Sequence, residues 1–419
     1  MDEPRLVRRL GTGDGVIIGL GSMIGAGIFA ALAPAAAAAG SGLLIALAVA
    51  AVIAYCNATS SARLAAVYPA SGGTYVYGRE RLGEFWGYLA GWAFIVGKTA
   101  SCAAMALTVG SYVWPGQAHA VAVAAVIAVT GLTCVGVQRT AWATRVIVTI
   151  VLAVLAAVLT ACLTSPTADV ARLTIGGDAT AAGVLQAAGL LFFAFAGYAR
   201  IATLGEEMRD PGRTIPRAIT VALAITLAVY AAVAVAVLMV LGPVMLAAAA
   251  DPLAQAVAAA GRPWLVPVIR VGAAVAAVGS LLALLLGVSR TTLAMARDRH
   301  LPRWLAVVSP RARVPRHAGI AIGSTVAVLA ATVDVRGAIG FSSFGVLAYY
   351  AIANAAAWTL PPSAGRPPLV IPAVGLAGCG LLASFLPVPS LLTGATVLGL
   401  GAAAYALTRH RSAGRPGPV

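Results

Sequence analysis

The sequence predicts an all-α membrane protein of twelve transmembrane helices, and three observations lead there. Hydrophobic residues make up 61% of the 419 and charged residues 10%, with a mean hydropathy of +0.95, which excludes an ordinary soluble globule. Apolar runs of about twenty residues recur along the chain, each long enough to cross a hydrocarbon core of about 30 Å. The cations fall on one side of the membrane when the runs are counted off from an inside N-terminus.

The spans are placed at residues 14–38, 42–66, 85–114, 118–136, 143–163, 181–204, 216–241, 264–296, 318–333, 337–360, 369–386 and 390–407. Residues 1–13 are charged, lack the layout of a cleavable signal, and are expected to stay cytoplasmic. The first span, GVIIGLGSMIGAGIFAALAP, clusters Gly19, Gly21, Gly25 and Gly27, and the second follows at once. The third, GWAFIVGKTASCAAMALTVG, holds Lys98 midway. After the fifth comes the longest outward loop, SPTADVARLTIGGDAT, polar and expected to be irregular or briefly helical. The sixth span, LLFFAFAGYARIATLGEE, carries Gly197 in a position like that of the first cluster. After the eighth, ARDRHLPRWLAVVSPRARVPRHAG is basic and proline-punctuated, suited to lipid headgroups. The tail 408–419, TRHRSAGRPGPV, reads as disordered.

The formal charge of +15 does not point to nucleic acid. Inward segments, the span ends beside them and both tails carry 22 arginines; the outward side carries four, Arg172, Arg262, Arg270 and Arg336. Only Lys98 and Arg200 fall inside spans. This is the positive-inside pattern, with both termini cytoplasmic. Arginine and alanine abundance with a single lysine suggests a GC-rich bacterial source and a cytoplasmic membrane. The five cysteines (Cys56, Cys102, Cys134, Cys162, Cys379) lie in or beside apolar spans without metal-ligand spacing, so they read as buried small hydrophobes, and no metal or cofactor is expected.

Glycine clusters free backbone amides and carbonyls from the helical ladder, and such backbone is tolerated at membrane depth only where it is buried or lines a cavity. Two interrupted spans five helices apart are the pattern of inverted-repeat transporters, which hold substrate at the breaks. The same glycines also fit plain close packing of helices.

Several segments resemble the amino acid permeases of the amino acid–polyamine–organocation superfamily. They are GLGSMIGAGIF in span one, YPASGGTYVYGRERLGEFWGYLAGW after span two, FFAFAGYARIATLGEEMRDPGRTIPRAI at and beyond span six, and SRTTLAMARDRHLPRW after span eight. Four motifs in order, over nearly the whole chain, make the likeness specific for superfamily and weak for substrate. It implies a five-plus-five inverted repeat (14–163 for helices 1–5, 181–360 for helices 6–10) with two further helices at 369–407. It also implies alternating access around one amino acid. By that resemblance the substrate carboxylate meets amides near Ile24, Gly25, Ala26 and Gly27, where half-helix N-termini suit an anion. Its ammonium meets carbonyls near Met23, Phe193, Ala194 and Ala196, beside Gly197, with Phe193 or Phe195 as the lid.

Where the chain departs from the family, it speaks to substrate. Cationic-amino-acid members place an acidic and an aromatic residue where this chain has Gly97 and Lys98. All thirteen acidic residues lie in loops or at span ends, with Asp14 and Glu84 at the border. A neutral amino acid is therefore expected, an acidic one behind it. Many sodium-independent relatives place a lysine in span five, near Val151 here, which cannot replace a sodium ion. A sodium site wants hydroxyls on span eight, where Ser280 has no neighbouring Ser or Thr.

Lys98 is the single lysine, about 21 Å along its helix from Glu84, too deep to snorkel easily. Desolvation disfavours a charged amine, so coupling of proton movement to transport is one expected role. A fixed cation in place of sodium, a direct substrate contact and an incidental lipid-facing lysine are the others. Glu206 and Glu207 with Arg209, Asp210 and Arg213 are expected to form a cytoplasmic gate against Arg290, Arg297 and Asp298; a solvated headgroup-level cluster is the alternative. Arg200 is expected to face the inner vestibule or to pair with Glu206 or Glu207. An intramembrane enzyme would need a base or metal set, and the four histidines lie in loops, span ends or the tail. An exchanger or a transporter-like sensor would share every motif. The sequence leaves the substrate and the oligomeric state open.

Overall fold

Within hydrocarbon a backbone amide finds its partner only in the chain itself, and the apolar runs accordingly become helices. A computed structural model describes residues 10–69, 72–136, 141–203, 207–309 and 314–413; among them the chain is helical apart from turns, loops and one isolated parallel bridge, Leu10 to Met208.

The first predicted span divides into α1 (Thr12–Met23), α2 (Ala26–Ala30) and α3 (Leu32–Ala39). There follow α4 (Leu43–Val67), α5 (Thr74–Leu82), α6 (Glu84–Val113), α7 (Ala118–Val135) and α8 (Ala141–Leu163). The sixth span is α9 (Ala181–Phe195) and α10 (Ala199–Ala202), joined by one 3-10 turn. The remainder is α11 (Pro211–Ala248), α12 (Pro252–Ala259), α13 (Val266–Arg297), α14 (Arg316–Thr332), α15 (Val335–Trp358), α16 (Val370–Ser384) and α17 (Val388–Ala413).

Helices thus occupy all twelve predicted segments, but ten among the described residues are long and apolar enough to cross a membrane. The ninth and eleventh, α14 and α16, have 17 and 15 residues. At 1.5 Å per residue they reach only about 25 and 23 Å. Hydropathy located these two runs without measuring their helices. The seventh span is longer than predicted, running past a kink at Gly242. Short helices α5 and α12 occupy segments predicted only as connections, and the long polar loop holds a 3-10 turn, Val170–Leu173.

Burial sorts the helices into layers. The apolar window of α6 is 89% buried and that of α15 is 72% buried, against 22% for α7 and α17. Gly97 explains the first two: a β-carbon there would lie 3.2 Å from the Gly345 backbone, so α6 and α15 cross main chain to main chain. The outer helices turn Ile127, Val135 and Leu400 outward, as lipid-facing residues do. Exposed Trp86, Trp114, Trp142, Trp264, Trp304 and Trp358 lie at helix ends or in the turns beside them, where amphipathic rings meet headgroups.

Candidate functional site

The first interruption is a true break. Ile24 (φ −81°, ψ 56°) and Gly25 (φ −111°, ψ −131°) leave the helix, which restarts at Ala26. The sixth is milder: Ala196–Tyr198 tighten into a 3-10 turn, and helix resumes at Ala199. None of the cluster glycines takes a positive φ. Their service is close approach. A β-carbon on Gly197 would lie 2.3 Å from Ser22 O, and one on Gly27 would lie 2.7 Å from Ala194 Cα. The two interrupted spans therefore cross in contact, at two points.

Carbonyls at the crossing are met by residues that sequence reasoning missed. Tyr230 Oη of α11 donates to Met23 O at 2.5 Å and to Ala194 O at 3.1 Å. Tyr350 Oη of α15 donates to Ala196 O at 3.3 Å. A tyrosine in an apolar span gives no periodic signal, so only the packing reveals these two. Phe195 is fully buried, its ring 5.2 Å from that of Tyr230.

Lys98 Nζ also donates to Ala196 O, at 3.3 Å, and the residue is 6% exposed. It faces the protein interior, which removes the lipid-facing alternative. No ion pair engages it among the described residues. Its amine opens on a cavity of about 210 Å³. Of the residues expected to touch substrate, Lys98, Phe193, Ala196 and Gly197 are on the cavity wall, joined by Ser22, Phe94, Ser101, Met105 and Ser280. Met23, Ile24, Gly25, Ala26, Gly27, Ala194 and Phe195 are buried off that wall.

The cavity runs to Arg200, Thr203, Glu207 and Arg290 at the end predicted to be cytoplasmic. No ion pair joins these charges among the described residues, and Glu206 lies outside them. Asp298, an expected gate partner, instead accepts from Tyr75 Oη at 2.5 Å and Arg79 Nη1 at 3.2 Å, both on α5. Tyr75 Oη also lies 3.0 Å from His300 Nδ1. Burial pushes the His300 imidazole below its ordinary value, with Asp298 opposing. The N-terminal segment is tied to the same end: Leu10 N donates to Glu207 O at 3.0 Å and Arg209 N to Leu10 O at 2.9 Å.

A separate cavity of about 370 Å³, lined by Phe29, Thr108 and Tyr112, begins one turn of α6 beyond Met105. On its wall, Tyr112 Oη donates to Phe29 O at 3.1 Å and accepts from Leu253 N at 3.4 Å.

Residues 10–398 match the amino acid permease family. An uncharacterized transporter of Mycobacterium tuberculosis is 72% identical over 408 residues, 97% of this chain and 92% of the relative. A vacuolar cationic amino acid transporter of Arabidopsis thaliana is 28% identical over 384 residues, 83% and 62% of the two chains. A branched-chain amino acid permease of Bacillus subtilis is 26% identical over 380 residues, 84% and 81%. With its interrupted first span and its many apolar helices, the chain belongs to the amino acid permease family and is a multi-pass membrane transporter, not an enzyme.

Proposed function

We propose that this protein carries a neutral amino acid across the cytoplasmic membrane by alternating access, with proton movement coupled through Lys98. The observation that carries this reading is the cavity at the crossing of the two interrupted spans, with a buried amine and, among the described residues, Glu207 at its far end as its one carboxylate. Its volume of about 210 Å³ leaves room for several waters or one small zwitterion. Lys98, Phe193, Ala196 and Gly197 would touch the substrate, while Met23 to Gly27, Ala194 and Phe195 form the packed floor beneath. A cationic side chain would meet the Lys98 ammonium, which disfavours the substrates named for the Arabidopsis relative. The branched-chain relative agrees better.

In this reading helices 1–5 and 6–10 are the two inverted repeats, the shorter α14 and α16 complete twelve spans, and both termini are cytoplasmic. The cavity reaching Glu207 and Arg290, with the Tyr112 cavity separate from it, then describes an inward-facing state.

The test is uptake by purified protein in liposomes under an imposed pH gradient, with Lys98→Ala and Lys98→Arg beside the unaltered chain. Neutral amino acids should accumulate with the gradient, and both variants should lose the pH drive. PH-driven uptake unchanged in both variants would end the role of Lys98. No accumulation of any amino acid would end the transport reading.

A further inference from the structure

Five hydroxyl side chains line the substrate cavity, and four of them are occupied. Ser22 Oγ donates to Ile18 O, Thr291 Oγ1 to Gly287 O and Thr203 Oγ1 to Arg200 O. Ser101 Oγ donates to Gly97 O at 3.2 Å and lies 2.6 Å from Ser342 Oγ. Bonding back to a carbonyl one turn earlier is the usual fate of a hydroxyl inside a helix.

Ser280 departs from it. Its residue is 3% exposed, and among the described residues its Oγ has no hydrogen-bond partner, not even the Ala276 carbonyl one turn back. It sits against the first break, 1.9 Å from where a β-carbon on Gly25 would be. Only glycine at position 25 leaves room for that hydroxyl. A buried unpaired hydroxyl costs free energy and calls for an explanation, and among the described residues Ser280 is the one such hydroxyl residue on this cavity wall.

We infer that Ser280 is a substrate-contacting residue whose hydroxyl donates to the carboxylate of the bound amino acid. The assignment rests on the amino acid reading above. Lys98 lines the same cavity, so the group drawn to its depth is an anion, and the Ser280 hydroxyl, packed against Gly25 in the empty site, donates to it on turning from the break toward the cavity. The first-break amides are off the cavity wall, whereas Ser280 Oγ belongs to a residue on it. Ser280, with no neighbouring Ser or Thr and so insufficient for a sodium site, thereby acquires a role as carboxylate anchor. Carboxyl-blocked substrates, left with a neutral carbonyl acceptor, should gain less from it.

The test is binding to the purified full chain, first of the twenty amino acids, then of the tightest binder and its carboxamide, to the unaltered chain, Ser280→Ala and Ser289→Ala. Ser289 is on the same helix, bonded to Leu285 O and away from this cavity, so its variant controls for folding. Ser280→Ala should weaken binding of the free acid about ten- to a hundredfold, weaken the carboxamide, a neutral acceptor, by clearly less, and melt within a degree or so of the control. Equal loss for acid and carboxamide, or no loss for the acid, overturns the assignment while the transport reading stands. An unaltered chain that binds none of the twenty overturns both.

Discussion

Gly197 and Ser22 meet main chain to main chain: a β-carbon on Gly197 would lie 2.3 Å from the Ser22 carbonyl oxygen. The obstacle is backbone, not the end of a flexible side chain, so it cannot step aside. Gly197→Ala should cost about 1–3 kcal/mol through overpacking and abolish uptake. Thermal unfolding in detergent with liposome uptake checks both, and an alanine variant identical to the parent would refute the close crossing.

Tyr230 fastens the same two spans from α11 through its bonds to Met23 O and Ala194 O. Phenylalanine there keeps the ring against Phe195 but leaves two buried carbonyls without this donor. Tyr230→Phe should lose about 1–3 kcal/mol, while Tyr55→Phe, on an exposed residue, should lose almost nothing. Equal melting temperatures for the two variants would count against the bridge.

The two phenylalanines expected to share a lid role separate cleanly. Phe193 is on the cavity wall, whereas Phe195 is fully buried against Tyr230. Phe195→Ala should destabilise the fold by about 3–5 kcal/mol. Phe193→Leu should chiefly move the KM of uptake, by about tenfold. The opposite pattern, a KM effect from position 195 and none from 193, would reverse the assignment.

His300 gives the protein a pH-dependent stability. Burial holds its imidazole below the ordinary value, so below about pH 6.5 the unfolded chain takes up a proton that the folded chain resists. The unfolded state then binds more protons, and stability falls as pH drops through that window. The melting temperature should decline between about pH 7 and pH 5, and His300→Gln should flatten part of that slope. Equal slopes in the two proteins would remove His300 as the cause.

Much of the site was visible as residue types before any packing was known. Lys98 stood out because one amine among 27 arginines lay deep in an apolar run, and it is buried on a cavity wall. The glycines at 25, 27 and 197 marked the crossing, although they act by admitting neighbours and not by turning the backbone left-handed. Tyr230 and Tyr350 were illegible because an apolar span tolerates a tyrosine anywhere. Their meaning depends on which carbonyl stands opposite. Asp298 was expected to meet the acidic loop and meets α5 instead, since charge pattern says that a partner is needed and not which helix supplies it.

By itself, the sequence determined that the chain is helical and membrane-embedded and where its long apolar helices lie. These follow from composition and local periodicity, because hydrocarbon forces each run to satisfy its own backbone. Tertiary structure alone decided that α14 and α16 are short and that the sixth interruption is a single tight turn. It also decided which hydroxyl at the cavity lacks a partner. Those properties belong to surfaces brought together from distant parts of the chain, and contact between such surfaces has no signature in either one alone.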